Sequence, residues 1–267
     1  MNALEITDLH YTYPDGTKAL DGVSLTIPHY ARTVLLGANG SGKSTLLLHT
    51  NGLLPPKRGR VQVLGQEWAG NDMRRLRERV GMVFQDPDDQ LFATTVADDV
   101  AFGPRNLGLD ESTVQERVHQ ALNELEILDL AHRPPHNLSL GQKKRAAIAG
   151  VLAMQPEMLV LDEPTASLDP LAVRHLTTLL HTLHRQGRTI ILATHNVDFA
   201  YQWADQVIIL HRGQVLASGD ITLLQDEALL DKASLEPPLL LQVFRDTPHR
   251  PRNTAEANQI IRNTLLS

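Results

Sequence analysis

Gly37-Ala38-Asn39-Gly40-Ser41-Gly42-Lys43-Ser44-Thr45 is a complete phosphate-binding P-loop, and its surroundings decide the fold. The apolar run Thr33-Val34-Leu35-Leu36 before it predicts a buried strand, and Ser44 to His49 predicts the start of a helix. Strand, loop and helix in that order are the setting in which such a loop binds phosphate, and an ordinary glycine-rich turn lacks it. Glycines 37, 40 and 42 are expected at positive φ, turning backbone N–H groups toward the phosphates while the helix N-terminus adds its dipole. Lys43 would reach the β- and γ-phosphates of a nucleoside triphosphate. Ser44 would offer its hydroxyl to Mg²⁺, whose shell is otherwise completed by phosphate oxygens and water.

Two further apolar runs, Met158-Leu159-Val160-Leu161 and Thr189-Ile190-Ile191-Leu192-Ala193, have the continuous pattern of parallel strands covered on both faces. Leu176, Leu179, Leu180 and Leu183 between them mark a crossover helix. Each of the three strands ends in polar residues: Gly37 after Leu36, Asp162-Glu163 after Leu161, and Thr194-His195 after Ala193. Ligands of open parallel sheets bind at the carboxyl ends of the strands, so these residues should share one crevice. Asp162 then fits a carboxylate supporting Mg²⁺ through water, and Glu163 fits the group that polarises an attacking water. Two acids after a strand are, on their own, an ordinary solvated loop; the upstream P-loop makes them candidates. His195 gains its interest from the third strand end in the same way.

Nearer the N-terminus, Leu4 to Leu9 and Val23 to Ile27 flank the turn Pro14-Asp15-Gly16-Thr17 and read as antiparallel β structure. Val61 to Leu64 and Val80 to Phe84 are further strands, separated by a charged stretch from Met73 to Arg79. The segment from Val114 to Leu130 places Val114, Val118, Ala121, Leu122, Leu125 and Leu128 on one helical face. Ser139 is a good N-cap for a helix running from Gln142 toward Ala153. Beyond Asp220 the prolines at 237, 238, 248 and 251 interrupt any long period, and a loosely specified helical appendage is expected.

Composition sets limits on the rest. The chain has 267 residues, enough for one large domain with a small appendage. It contains no cysteine, so neither a disulfide framework nor a thiolate metal site is available. Its formal charge of −6 gives no basic footprint for nucleic acid. No apolar run reaches the roughly 18 residues needed to span a bilayer, and the start Met1-Asn2-Ala3-Leu4-Glu5 has neither the charged nor the apolar part of a signal peptide. Any membrane association is therefore expected through a partner. His181 and His184 sit one helical turn apart, yet no third ligand at metal spacing accompanies them, which favours a solvated helix face. A GTPase switch is disfavoured because no Asn-Lys-x-Asp element occurs.

Taken together, these residues resemble the ATP-binding cassette (ABC) family from about Leu4 to Gly219. The resemblance makes Tyr13 the aromatic on which adenine stacks, Gly37 to Thr45 the Walker A motif, and Gln85 the Q-loop glutamine that joins Ser44 and Asp162 at Mg²⁺. It makes Leu138-Ser139-Leu140-Gly141-Gln142 the signature, Leu159 to Glu163 the Walker B motif, Ser167-Leu168-Asp169 the D-loop, and His195 the switch histidine. Leu140 stands where a glycine is common; Ser139 and Gly141, the residues that would meet the γ-phosphate, are kept. The implied fold is an α/β ABC ATPase fold, with a RecA-like P-loop core on a parallel sheet, an antiparallel β subdomain and a helical signature subdomain at about residues 86–155. The nucleotide-binding domain would cover residues 1–219 and the helical appendage 220–267. Glu163, His195 and Gln85 would be the catalytic set, with ATP and Mg²⁺ bound. The signature would contact ATP held by a second subunit, so two cassettes would close head-to-tail with Asp169 at the interface, as a homodimer or a pair with a related ATPase.

Within the family, Val83-Phe84-Gln85-Asp86-Pro87-Asp88-Asp89-Gln90-Leu91-Phe92 and Thr95 to Gly103 look like the energy-coupling-factor importers, and with Arg133 to Leu138 and Ala147 to Met154 they are similar to the CbiO type of cobalt and nickel uptake. That resemblance implies a peripheral subunit on the cytoplasmic face of the cell membrane, beneath a membrane coupling (T) subunit and a substrate-binding (S) subunit. Arginine-bearing helices of the coupling subunit would dock beside the Q-loop, with Asp86, Asp88 and Asp89 supplying complementary charge. The transported metal would not touch this chain. The same machinery serving a vitamin such as biotin is the nearest alternative. A soluble cassette acting on DNA or ribosomes is more remote, because such proteins carry two cassettes or a long coiled coil.

Overall fold

Alternation of apolar side chains between two faces, both of them covered, builds the centre of the molecule. The computed structural model describes residues 2–68 and 72–265; the first residue and the last two of the expected appendage lie outside them. Strands β1 (Asn2–Thr12), β2 (Lys18–Pro28), β4 (Arg58–Val63) and β5 (Gln66–Glu67) form an antiparallel sheet of order β2-β1-β4-β5. Strands β3 (Arg32–Leu36), β6 (Val80–Val83), β7 (Met158–Asp162), β8 (Thr189–Thr194), β9 (Gln206–His211) and β10 (Gln214–Gly219) form the second sheet, of order β10-β9-β3-β8-β7-β6. All its neighbours run parallel except β10, which pairs antiparallel with β9. The expected α/β architecture is present.

One face of the larger sheet, carrying Val34, Leu36, Leu159, Leu161, Ile190, Leu192, Val207 and Ile209, packs into a core shared with helices. The opposite face, carrying Leu35, Met158, Val160, Ile191, Ala193, Ile208 and Leu210, packs with the antiparallel sheet and with α1 (Lys43–Thr50). Burial on both faces is why these strands read as unbroken apolar runs. The charged run Met73–Arg79 forms α2, burying Leu76.

Helices α3 (Val96–Asn106), α4 (Glu111–Glu124) and α5 (Leu140–Leu152) pack together, and α6 (Pro170–Arg185) crosses from β7 to β8. Helix α4 ends earlier than the apolar period suggests. Glu126 takes φ 55 and the amides of Glu126 and Ile127 close back on Asn123 and Leu122. The chain turns there, so Ile127 becomes fully buried while Leu128, expected on the helical face, is 39% exposed in a 3₁₀ turn. Helix α7 (Val197–Trp203) leads from the end of β8 toward β9, and α8 (Glu227–Lys232), α9 (Leu239–Val243) and α10 (Thr254–Leu265) follow the sheet. Leu224, Leu230, Ala233, Leu235 and Leu241 from this C-terminal region belong to the same core as the sheet. Arg252 donates to the carbonyls of Tyr201 and Ala204 at the end of α7, at 3.1 and 2.8 Å.

Candidate nucleotide and hydrolysis site

Register fixes the site. Leu36 of β3 lies opposite Thr194 of β8, and Asp162 of β7 lies opposite Ala193. Three adjacent parallel strands therefore release their chains at one level, as the polar strand ends predict. The ladder runs one step further on one side, where the Glu163 N–H donates to the Ala193 carbonyl at 2.9 Å.

The P-loop is wound tightly between β3 and α1. Gly37 is required for a reason other than the expected positive φ. A Cβ there would meet the Leu210 carbonyl oxygen and Ser41 Oγ, both at 2.5 Å. Gly42 does take a left-handed φ of 105, and a Cβ on it would stand 2.7 Å from the Ala19 carbonyl oxygen. Lys43 is buried, with Nζ donating to the Gly37 carbonyl at 2.8 Å and the Ala38 carbonyl at 3.2 Å, and lying 3.7 Å from Glu163 Oε1. Tyr13 reaches the same helix through its hydroxyl, 3.0 Å from Thr45 Oγ1, with its ring set edge-on to Tyr11.

Glu163 is the centre of the arrangement. It is 5% exposed, takes φ 45, and has both carboxylate oxygens engaged. Thr194 Oγ1 donates to Oε2 at 3.0 Å, and His195 Nδ1 bonds Oε1 at 3.0 Å. The Thr194 contact has no sequence signal beyond its place at a strand end, and its role emerges only here. Asp162, beside it, is also buried, and burial raises its pKa above the ordinary carboxylate value. The nearby Ser44 hydroxyl pulls it back down, the Glu163 charge raises it further and Lys43 opposes that. Its Oδ1 is buried with no hydrogen-bond partner among the described residues. A buried carboxylate oxygen without a donor, next to the Ser44 hydroxyl, is the donor set of a hard divalent cation, so these residues fit Mg²⁺. Gln85 is not drawn into this cluster; it is exposed in the bend after β6.

Ser139 caps α5 with its side chain accepting from the Gln142 N–H, while Gln142 returns a bond from the Ser139 N–H, a reciprocal capping box. Leu140 is 40% exposed and Gly141 has only Leu168 near its missing Cβ. Asp169 caps α6, accepting from the N–H groups of Leu171 and Ala172 at 2.9 and 2.8 Å.

The three loop acids separate in the structure. Asp86 accepts from the Asp88 N–H and so caps its own turn, and Asp88 pairs with Lys143 of α5 at 2.6 Å. Asp89 alone of the three lines a cleft of about 730 Å³ bounded by Leu53, Met82, Phe84, Phe92 and Phe102. Phe92 and Phe102 stack edge to face at 4.8 Å and are 67% and 49% exposed, an unusual placement for two aromatic rings. Asp99, also in that cleft and 8% exposed, accepts from the N–H groups of Phe92 and Ala93 and leaves Oδ2 without a partner among the described residues. The sequence does not mark it apart from its neighbours. His181 and His184 are both engaged by the protein itself: His181 Nδ1 accepts from Arg32, and His184 Nε2 donates to the Tyr30 carbonyl.

Comparison with known proteins places this geometry. Residues 20–166 match the family described as ABC transporter. The energy-coupling factor transporter ATP-binding protein EcfA of Carboxydothermus hydrogenoformans is 53% identical over 267 residues, covering 99% of each chain. The cobalt import ATP-binding protein CbiO of Rhodobacter capsulatus is 49% identical over 253 residues, covering 92% of this chain and 90% of that one. Among solved structures, cbiO1 of Clostridium perfringens, described as part of the ABC transporter complex cbiONQ, superposes with a TM-score of 0.77 at 40% identity, covering 91% of this chain and 99% of that one.

Proposed function

Because the chain belongs to the ABC transporter family, we propose that it is the ATP-hydrolysing subunit of an energy-coupling-factor importer for a divalent transition metal, Co²⁺ or Ni²⁺. The observation that carries the chemistry is the convergence of Lys43, Thr194 and His195 on the buried carboxylate of Glu163. Lys43 binds the β- and γ-phosphates in the P-loop cradle of Gly37 to Thr45, and Tyr13 stacks on adenine. Glu163, with one oxygen fixed by Thr194 and the other by His195, accepts a proton from the attacking water and so directs it at the γ-phosphate. With Nδ1 committed to Glu163, the His195 ring keeps Nε2 for the phosphate side. Ser44 and Asp162 would hold Mg²⁺, which would neutralise charge on the phosphate oxygens when bound; Gln85, exposed in the bend after β6, would have to swing inward to join them.

Ser139, Gly141 and Gln142 at the start of α5 serve ATP bound by a second cassette, a homodimer or a related ATPase, with Asp169 at the junction. The membrane coupling and substrate-binding subunits attach from above. No helix of the described residues is long and apolar enough to cross a membrane; the place proposed for the chain is peripheral, on the cytoplasmic face. The cleft with Phe92, Phe102 and Asp89 suits the coupling subunit: exposed aromatics for its apolar side and a carboxylate for its arginines. The metal is cargo of the membrane subunits. The nearest competing cargo is a vitamin such as biotin, and only the membrane partner separates the two.

Glu163→Gln tests the chemistry. It should retain ATP binding, lose turnover by about 10²- to 10⁴-fold and accumulate closed dimers, and normal steady-state hydrolysis would remove Glu163 as the base. For the cargo, the chain is purified with its co-purifying membrane proteins, reconstituted in vesicles and given ATP. ATP-driven uptake of Co²⁺ or Ni²⁺ is expected. Biotin uptake instead would move the substrate while keeping the mechanism, and recovery of soluble partners alone would overturn transport.

A further inference from the structure

We infer that Lys144 is a positioning residue that ties the loop bearing Glu163 to the signature helix α5, so that the placement of the base follows the placement of that helix. Lys144 lies on α5 beyond the Ser139 cap and is 6% exposed. Its ammonium donates to two main-chain carbonyls of the loop after β7, that of Glu163 at 3.2 Å and that of Ala166 at 2.6 Å. Burial depresses its pKa, and the charges of Glu163 and Asp86 pull it back up, so the ammonium lies in the field of the base it positions.

The loop needs such a restraint. Glu163 and Ser167 both take left-handed φ, at 45 and 60, an unfavourable choice for side chains with a Cβ. Within the loop, the Ala166 N–H donates to the Glu163 carbonyl and the Leu168 N–H to that of Thr165, the latter at 3.3 Å. Packing does not finish the job. A cavity of about 270 Å³, lined by Gly141, Lys144, Ile148, Leu168 and Leu176, opens between α5 and α6 on this side. The two Lys144 bonds bridge α5 and the loop at the edge of that gap. The neighbouring Lys143 joins α5 to the turn after Gln85 through Asp88. Consecutive lysines thus connect one helix to two loops of the site. This rests on the assignment of Glu163 as base. A second cassette's ATP, pulling on the Ser139 end of α5, would then act on this chain's own base through Lys144.

Lys144→Met keeps the length of the side chain and removes its donors; Lys144→Gln keeps donors without the charge. The full chain is measured for ATP turnover, for binding of a fluorescent ATP analogue, and for amide hydrogen exchange over residues 163–168. Lys144→Met should lower kcat by about 10- to 100-fold, with the dissociation constant for nucleotide changed by less than about twofold and exchange accelerated in that loop alone. Lys144→Gln should recover turnover in step with loop protection, which a residue that only stabilises the fold would not do. Wild-type turnover in a folded Lys144→Met chain, turnover that does not track loop protection across the variants, or a loss confined to nucleotide affinity overturns the proposal. If Lys144→Met does not fold, the pairing of turnover with loop protection in Lys144→Gln decides on the same terms. Failure here is separable from failure of the base assignment: an inactive Glu163→Gln beside an unaffected Lys144→Met rejects the tether and keeps the base.

Discussion

Asp162 shows how much the site depends on holding charge where water is excluded. Its folded pKa is raised chiefly by burial, so its linkage contribution favours folding below the ordinary carboxylate range and is lost as pH rises through the folded value. At neutral pH the ionised form therefore costs stability until a cation relieves it. Asp162→Asn should stabilise the metal-free chain by about 1 kcal/mol at pH 7 and by less near pH 4, while weakening the Mg²⁺ dependence of ATP binding. Thermal melts at the two pH values, with and without Mg²⁺, check the sign; a variant less stable at pH 7 contradicts it. Lys43→Ala should weaken ATP binding on the order of 10- to 100-fold, read by equilibrium titration, since it removes a charge-assisted donor from the phosphates. At this scale the sequence reveals the residues with motif spacing, such as Lys43 and Glu163. It hides those whose role is a bond to main chain. A lysine like Lys144 on an amphipathic helix reads as solvated surface, and nothing local says that its ammonium ends on two carbonyls.

Elements were readable where burial imposes one pattern. The strands β3, β7 and β8 carry unbroken apolar runs, Val34 to Leu36, Met158 to Leu161 and Ile190 to Ala193, because both their faces are covered, and α6 shows its period through Leu176, Leu180 and Leu183. The end of α4 was not, because the left-handed turn at Glu126 carries no glycine to announce it. Close approach between elements is equally silent in sequence. Gly81 of β6 would place a Cβ 2.3 Å from Val151 Cγ1 of α5 and 2.9 Å from Pro156 Cγ. Gly81→Ala should cost roughly 1–3 kcal/mol in denaturant unfolding through overpacking, with nucleotide affinity unchanged. A neutral result would mean that α5 shifts freely away from the sheet.

For the whole molecule, surface chemistry governs assembly. Asp88 is engaged with Lys143 inside the chain, so Asp89 is the acid free to meet a cationic partner at the cleft. Asp89→Lys should leave the melting temperature within a degree or so, as surface changes usually do, yet release the chain from its membrane complex in a detergent pull-down. Intact assembly would reject the charge pairing. The shape of the P-loop is fixed from far away along the chain. Gly37 packs on the Leu210 carbonyl, and the Gly213 N–H donates to the Ser41 carbonyl at 2.9 Å, a bond that closes about 170 residues along the chain. Ribosomes add residues at roughly 5–20 per second, so the loop is made roughly 10–30 s before the strand that shapes it. During that interval the most recognisable stretch of the sequence cannot yet hold ATP, and nucleotide in the cell can stabilise the cassette only once translation has passed β9 and β10.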